Sequence, residues 1–137
     1  MHQRTTIRDY IVALLSANIS AGTSVLGKLV DGLADDQIPA VVVKARKDTV
    51  KQLLGEEPIE YQRRLLVSIE VFTSGDEDTL NALCDEVELI LLKDFRLSGL
   101  ATGLTLVDTL LEADTGGEQV FWDGMILIHV DYVSTFG

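Results

Sequence analysis

Residues 61–94 read YQRRLLVSIEVFTSGDEDTLNALCDEVELILLKD and contain two different hydrophobic periods. In the first half every second residue is apolar, which predicts a β-strand with one buried side. That side carries Leu65, Val67, Ile69 and Val71. In the second half apolar residues recur every three or four positions, which predicts an amphipathic helix. Its apolar side carries Leu80, Leu83, Cys84, Val87, Ile90 and Leu91. Residues 73–76 supply a turn and a helix N-cap. A strand followed by a helix that folds back over it is the core of a small α/β domain.

The other segments predict the elements that pack around this unit. A first amphipathic helix begins at Thr5 or Thr6 and runs to about Asn18. Further strands are predicted over residues 24–30, 38–46, 104–113 and 119–133, with a bulge at Asp123 and Gly124 in the last. The expected fold is therefore α/β, of the α+β kind: one domain over residues 1–137, with a mixed or antiparallel sheet and two main amphipathic helices on one face.

Residues 47–58, KDTVKQLLGEEP, separate two predicted strands without a helical pattern of their own. Gly55 and Pro58 work against a helix here, so the segment predicts a projecting hairpin arm or loop. Such an arm exposes its apolar residues unless a partner covers them, whereas the alternative folds them back onto the domain's own core. These residues are Val50, Leu53 and Leu54.

Composition limits the class of protein. A formal net charge of −11 argues against a protein that grips nucleic acid, because phosphate binding depends on Lys and Arg. No apolar run approaches the roughly 20 residues of a membrane helix, and the first residues, MHQRTTIRDY, do not resemble a signal peptide. We expect a soluble, cytosolic protein that makes no contact with a membrane.

Motifs that carry reaction chemistry are missing from the sequence. The single cysteine, Cys84, lies on the apolar side of a helix, and the two histidines are His2 near the terminus and His129 in a strand. The acidic residues of the second helix follow a solvated face and do not converge as a divalent cation requires. We therefore expect no enzyme, no catalytic residues and no cofactor or metal site.

The order of segments resembles a known family. The strings IPAVVV at residues 38–43 and LVSIEVF at 66–72, the helix that begins near Asp78, and a final hairpin containing Trp122 carry the resemblance. They are similar to the tail terminator proteins of long-tailed bacteriophages, the minor tail protein U family. The resemblance covers most of the chain, but residues 47–58 have no counterpart in it.

The resemblance implies a mechanical role in the virion tail for a protein made in the host cytoplasm. It implies a homohexameric ring that caps the head-proximal end of the tail tube, stops its polymerisation and offers a surface to the head-completion protein. It also implies that DNA passes through the ring without specific binding, and it makes magnesium a candidate for ring assembly with no ligands assigned.

A ring needs two complementary patches on each subunit. Candidates for these patches lie in the arm and in the loop after the second helix: Val50, Leu53, Leu54, Phe95 and Leu97. An acidic channel wall would repel DNA, and the candidates for that wall are Asp35, Asp36, Glu56 and Glu57.

Three other functions stay open at this point. A head-to-tail connector or tail-completion protein would share the structural role but bind the other side of the joint. A small ligand-binding regulatory domain would be monomeric. A small hydrolase would need catalytic residues that the sequence does not show.

Overall fold

The computed structural model describes residues 2–27, 37–114 and 121–136. It contains two α-helices, a short 3-10 turn (Leu97–Gly99) and five strands that form one sheet in the order β1-β2-β3-β5-β4. In chain order the elements are α1 (Gln3–Asn18), β1 (Ser24–Leu26), β2 (Ala40–Glu56), β3 (Ile59–Ser74), α2 (Glu77–Lys93), β4 (Gly103–Asp114) and β5 (Phe121–Phe136). Only β1 and β2 are parallel, so the sheet is mixed and the predicted α+β class is confirmed.

The core lies between the sheet and the two helices, which share one face. The alternating residues predicted to be buried in β3 are all fully buried, as are their neighbours in β5: Ile126, Ile128, Val130 and Tyr132. The helices add apolar side chains from their predicted stripes to the same cluster: Ile7, Ile11 and Leu15 from α1, and Leu80, Leu83, Cys84, Val87 and Leu91 from α2. The two hydrophobic periods thus identified both sides of the core correctly.

Capping groups fix where the helices begin. At α2 the Asp76 carboxylate accepts a hydrogen bond of 2.9 Å from the backbone N–H of Thr79, and Glu77 and Asp78 place negative charge in the first turn. This confirms the predicted cap. The first helix begins at Gln3, slightly earlier than predicted, because the His2 ring accepts from the Arg4 N–H.

The predicted bulge at Asp123 and Gly124 is wrong. β5 keeps a continuous register with both neighbours through these residues, and the irregularity lies in β4 between Leu106 and Asp108. Gly124 is instead a point of close approach, since a Cβ there would lie 2.8 Å from the Cys84 Sγ. The missing side chain lets α2 settle on the sheet.

The strand predicted over residues 38–46 is much longer. β2 continues to Glu56, turns at Glu57 and Pro58, and pairs antiparallel with β3 along its whole length. The segment between the predicted strands is therefore the outer half of one long hairpin, which confirms the arm and excludes its folding back onto the core.

Candidate assembly surface

The hairpin arm, residues 47–66, extends past the end of β4. The first residue of β4, Gly103, pairs with Asp131 of β5, so the described part of the sheet beyond Asp131 contains only β2, β3 and β5. Three register shifts in β2, on either side of Arg46, Lys51 and Leu54, interrupt its pairing with β3. Bulges of this kind bend and twist a hairpin, so the arm is curved.

The arm exposes apolar side chains as the sequence predicts. Val50 is 50%, Leu53 44% and Leu54 49% exposed, and Ile59 at the start of β3 is 43% exposed. Ile59 was not among the predicted residues, although its place directly after Pro58 makes it part of the same tip. Four large apolar side chains at one end of a sheet are a feature of surfaces that contact a partner.

The base of the arm is held by a buried carboxylate. Asp48 has only 5% of its side chain exposed, and its Oδ2 lies 3.2 Å from Arg4 Nη1 and 3.6 Å from Arg63 Nη1. The hydroxyl of Tyr132 donates to the same oxygen at 2.5 Å. These contacts connect α1, β2, β3 and β5 at one point, so the position of the arm is coupled to the first turn of α1.

Other contacts and the burial at the base of the arm also hold α1 against the sheet around Asp48. The side-chain amide of Gln3 donates to the backbone carbonyl of Val133 at 3.0 Å, which fixes the helix against β5. Burial, together with the Asp48 carboxylate, raises the pKa of Tyr132 far above its ordinary value. The other oxygen of Asp48, Oδ1, is buried and has no hydrogen-bond partner among the described residues.

The sheet face opposite the helices is charged near the arm; we call it the charged face. The Glu70 carboxylate pairs with Lys44 at 3.1 Å and with Arg46 at 2.7 Å, and Arg64 pairs with Asp131 at 2.8 Å. Burial and then Arg64 lower the pKa of the nearby His129, and Lys51 contributes in the same direction.

Basic residues are concentrated in this part of an acidic chain. The segment from Lys44 to Arg64 contains six of the 11 Lys and Arg residues. Lys47 and Lys51 make no ion pair within the described part of the chain. The arm therefore carries unneutralised positive charge on a protein whose net charge is −11.

Of the two contact residues predicted in the loop after α2, one is exposed and the other is buried. Phe95 is exposed, with the Arg96 guanidinium 5.3 Å from its ring centre, and it remains a candidate contact. Leu97 is fully buried in the chain's own core, so its prediction as an exposed patch is wrong. The loop turns back under α2 because Asp94 accepts from the backbone N–H groups of Leu97 and Ser98.

The structure describes two of the four residues predicted to line the channel. Glu56 and Glu57 are exposed at the tip of the arm, where their carboxylates face solvent. Asp35 and Asp36 lie outside the described residues. The role of the four carboxylates as a channel wall stays a prediction.

Two exposed apolar surfaces were missed by the sequence reasoning. On α2, Leu89 and Leu92 face solvent on the side away from the core. On the edge strand β4, the exposed residues are Val107, Leu110 and Leu111. A shallow groove of about 480 Å³ between β4 and β5 adjoins Leu110, Leu111 and Glu112. The signal was present in β4, where apolar residues occur on both alternating faces.

Reaction chemistry is not evident in the described residues. Residues 2–27, 37–114 and 121–136 contain no group of three or more His, Cys, Asp or Glu side chains that could hold a metal ion. Cys84 is buried, and burial followed by the nearby Glu88 and Asp85 raises the pKa of its thiol to about 11. In the same residues, neither helix has the length and apolar character needed to cross a membrane.

The fold is similar to that of a solved structure. The chain is similar to the PVC sheath/tube terminator of an extracellular contractile injection system in its extended state, with a TM-score of 0.52 and 8% sequence identity. The match covers 96% of this chain and 57% of the terminator, so the chain spans a little over half of the length of that protein. This chain therefore shares its fold with a sheath/tube terminator.

A second solved structure is less similar, and two comparisons of the sequence find no match. A chain in the virion of a native gene transfer agent particle matches with a TM-score of 0.43 and 12% identity, over 91% of this chain and 94% of its own length. No protein-family model matches the chain, and no curated protein matches it in sequence.

Proposed function

We propose that this protein is a tail terminator: a structural subunit that forms a homohexameric ring on the head-proximal end of a tail tube. The observation that carries the proposal is the fold shared with a sheath/tube terminator over 96% of the chain. In this role the ring stops tube polymerisation and offers its other side to a head-completion protein. The protein acts as part of the virion tail and catalyses no reaction.

The arm supports this role through its exposed apolar residues. Val50, Leu53 and Leu54 lie on an extension of the sheet that β5 flanks to its tip and whose base is held by Asp48, so we infer that they are positioned before any partner arrives. Preorganised apolar side chains reduce the entropy lost on association. A ring of identical subunits needs such a protruding patch and a different receiving patch on each copy.

The net charge of −11 supports the passage of DNA without binding. A polyanion is repelled by an acidic wall, and we assign Glu56 and Glu57 to that wall together with Asp35 and Asp36. Magnesium remains a candidate for ring assembly only, and no residue is assigned to it.

A tube-growth assay tests the proposal. Tail tubes assembled from the cognate tube protein should stop growing at one end when this protein is added, and electron microscopy should show one ring at that end. Tubes that grow to the same length with and without the protein contradict it. Binding to purified heads without binding to tubes would instead indicate a head-to-tail connector.

A further inference from the structure

Two strand edges in this sheet have no backbone partner along most of their length among the residues that the structure describes. Among the described residues, β2 pairs with β1 only from Ala40 to Val42, so its outer edge has no backbone partner from Val43 to Glu56. At the other side of the sheet, β4 pairs only with β5 within the described part of the chain, so its outer edge has no backbone partner there from Gly103 to Asp114. Long free edges are templates for pairing with another chain.

The directions of the strands suit head-to-tail pairing between copies. β2 is antiparallel to β3, β3 to β5, and β5 to β4, so β2 and β4 run in opposite directions within one sheet. When a second copy is placed beside the first with its sheet in the same orientation, its β4 lies antiparallel to the first copy's β2. The contact is heterologous, as a closed ring requires.

Charge complementarity selects one register for this contact. On the charged face, Lys47 and Lys51 are four residues apart on β2, and Asp108 and Glu112 are four residues apart on β4. The pairing of Lys47 with Leu66 and of Asp108 with Leu127 places these side chains on the charged face. Val50 pairs with Arg63 on the face that carries the helices, so the alternation along β2 turns the next residue, Lys51, toward the charged face.

We propose that the free edge of β4 in one copy pairs antiparallel with the arm edge of β2 in the next copy, with Lys47 opposite Glu112 and Lys51 opposite Asp108. The proposal rests on the proposed ring and names the surface through which its subunits join. In this register Thr49 lies opposite Leu110. A shift of two residues in either direction breaks both of these ion pairs, and a shift of four residues leaves only one pair among these four residues.

The same register covers the exposed apolar residues of both edges. Val50 of the arm lies diagonally beside Leu111 of the neighbour, and Leu53 lies opposite Leu106, on the face that carries the helices. Val50 and Leu111 are 50% and 44% exposed in the single chain. Their burial adds an apolar contribution to the two ion pairs and the backbone hydrogen bonds.

The register also gives the stagger that a closed sheet needs. Within one chain Gly103 is level with Thr49, through Asp131 and Arg64. In the proposed joint the neighbour's Gly103 lies opposite Glu56, so each copy is displaced along the strands by the residues between Thr49 and Glu56. A displacement of constant sign is the shear by which strands tilt and close into a barrel.

Cysteine cross-linking tests the register. Within one chain Thr49 and Leu110 lie on strands separated by β3 and β5, about 14 Å apart at the usual strand spacing, so their cysteines can join only between chains. The variant with Thr49→Cys and Leu110→Cys should give covalent oligomers of up to six chains on oxidation. Its control combines Thr49→Cys with Leu111→Cys, which is also exposed but points to the other face. We expect the control to react at least about 10-fold more slowly.

Charge reversal gives a second, independent readout. Lys47→Glu with Lys51→Glu should weaken the subunit contact about 10-fold, as should Asp108→Lys with Glu112→Lys, and the four changes together should restore it. Glu77→Lys with Asp85→Lys on α2 controls for the change in net charge. Circular dichroism checks that each variant folds.

The outcomes separate this inference from the proposed function. Wild-type rings whose two cysteine variants cross-link equally, or not at all, overturn the β2–β4 joint and leave the terminator in place. Charge reversals that leave the rings unaffected also overturn the joint. A wild-type chain that forms no ring, alone or on tubes, overturns both.

Discussion

The hydroxyl of Tyr132 donates a hydrogen bond of 2.5 Å to the Asp48 carboxylate and joins the last strand of the sheet to the base of the arm. Arg4 and Arg63 contact the same carboxylate oxygen from α1 and β3. One buried carboxylate thus connects the base of the arm to α1, β3 and β5. The arm's exposed residues are useful to a partner only if this base is rigid.

Replacing Asp48 should destabilise the protein more than the loss of a side chain of that size usually does. In Asp48→Ala two guanidinium groups and a buried hydroxyl lose their common acceptor, and we expect a loss of about 3 kcal/mol in the free energy of unfolding. Tyr132→Phe keeps the ring and removes only the hydroxyl, and should cost about 1–2 kcal/mol. Urea denaturation measures both. A loss below that of Tyr132→Phe would show that Asp48 does not hold the base.

The protein should lose stability in alkaline solution. The pKa of Tyr132 is raised in the folded state, so its contribution is complete below the unfolded-state pKa of about 10 and is lost as the pH rises above it. The free energy of unfolding should therefore fall with pH above about 10, and less steeply in Tyr132→Phe. Denaturation at several alkaline pH values measures the slopes, and equal slopes would exclude this effect. Some slope should remain in the variant, since a hydrogen bond to Asp94 raises the pKa of Tyr10 as well.

Neighbouring residues in the loop after α2 should respond in opposite ways to truncation. Leu97→Ala empties a fully buried site and should cost about 2–4 kcal/mol, whereas Phe95→Ala removes an exposed ring and should stay within about 0.5 kcal/mol. Thermal or urea unfolding of the two variants tests the corrected position of Leu97. Equal losses would mean that the loop does not turn inward.

A close contact between α2 and β5 predicts a compensating pair. Gly124→Ala would bring a Cβ within 2.8 Å of Cys84 Sγ and 3.3 Å of Leu80 Cδ1, so we expect a loss of about 1–3 kcal/mol. Cys84→Ala should recover part of that loss when it is combined with Gly124→Ala. A double-mutant cycle measures the coupling, and additive effects would place the strain elsewhere.

The arm's leucines should matter for assembly and not for folding. Leu53→Asp with Leu54→Asp changes two exposed side chains, so the variant should keep its circular dichroism spectrum and remain a monomer by light scattering. Leu89→Glu, an equally exposed position on α2, serves as the control and should assemble normally. An oligomer of unchanged mass in the arm variant would remove the arm from the interface.

The sequence predicted the core well because periodicity reports burial directly. Leu65 to Val71 and Ile126 to Tyr132 alternate without interruption, and every inward residue is fully buried. The exposed arm was predicted from the lack of a helical pattern: the segment contains apolar residues, but its Gly55 and Pro58 work against a helix. Both results depend on local pattern alone.

Other features depend on three-dimensional context that no local pattern carries. Leu97 is buried because Asp94 turns the loop inward, and a buried leucine in a loop looks the same in sequence as an exposed one. Asp48 is a charged residue in an arm, and only the register with β3 and β5 shows that it meets Tyr132. A glycine within a strand indicates a bulge, and the sequence does not show that Gly124 instead approaches Cys84, which belongs to another element.

Imaging of the purified protein by electron microscopy tests the central claim most directly. We expect sixfold rings of six 15.0-kDa chains with a central hole wide enough for duplex DNA, about 20 Å or more across. Particles that remain single chains at high concentration, and that leave the ends of cognate tubes bare, would contradict it.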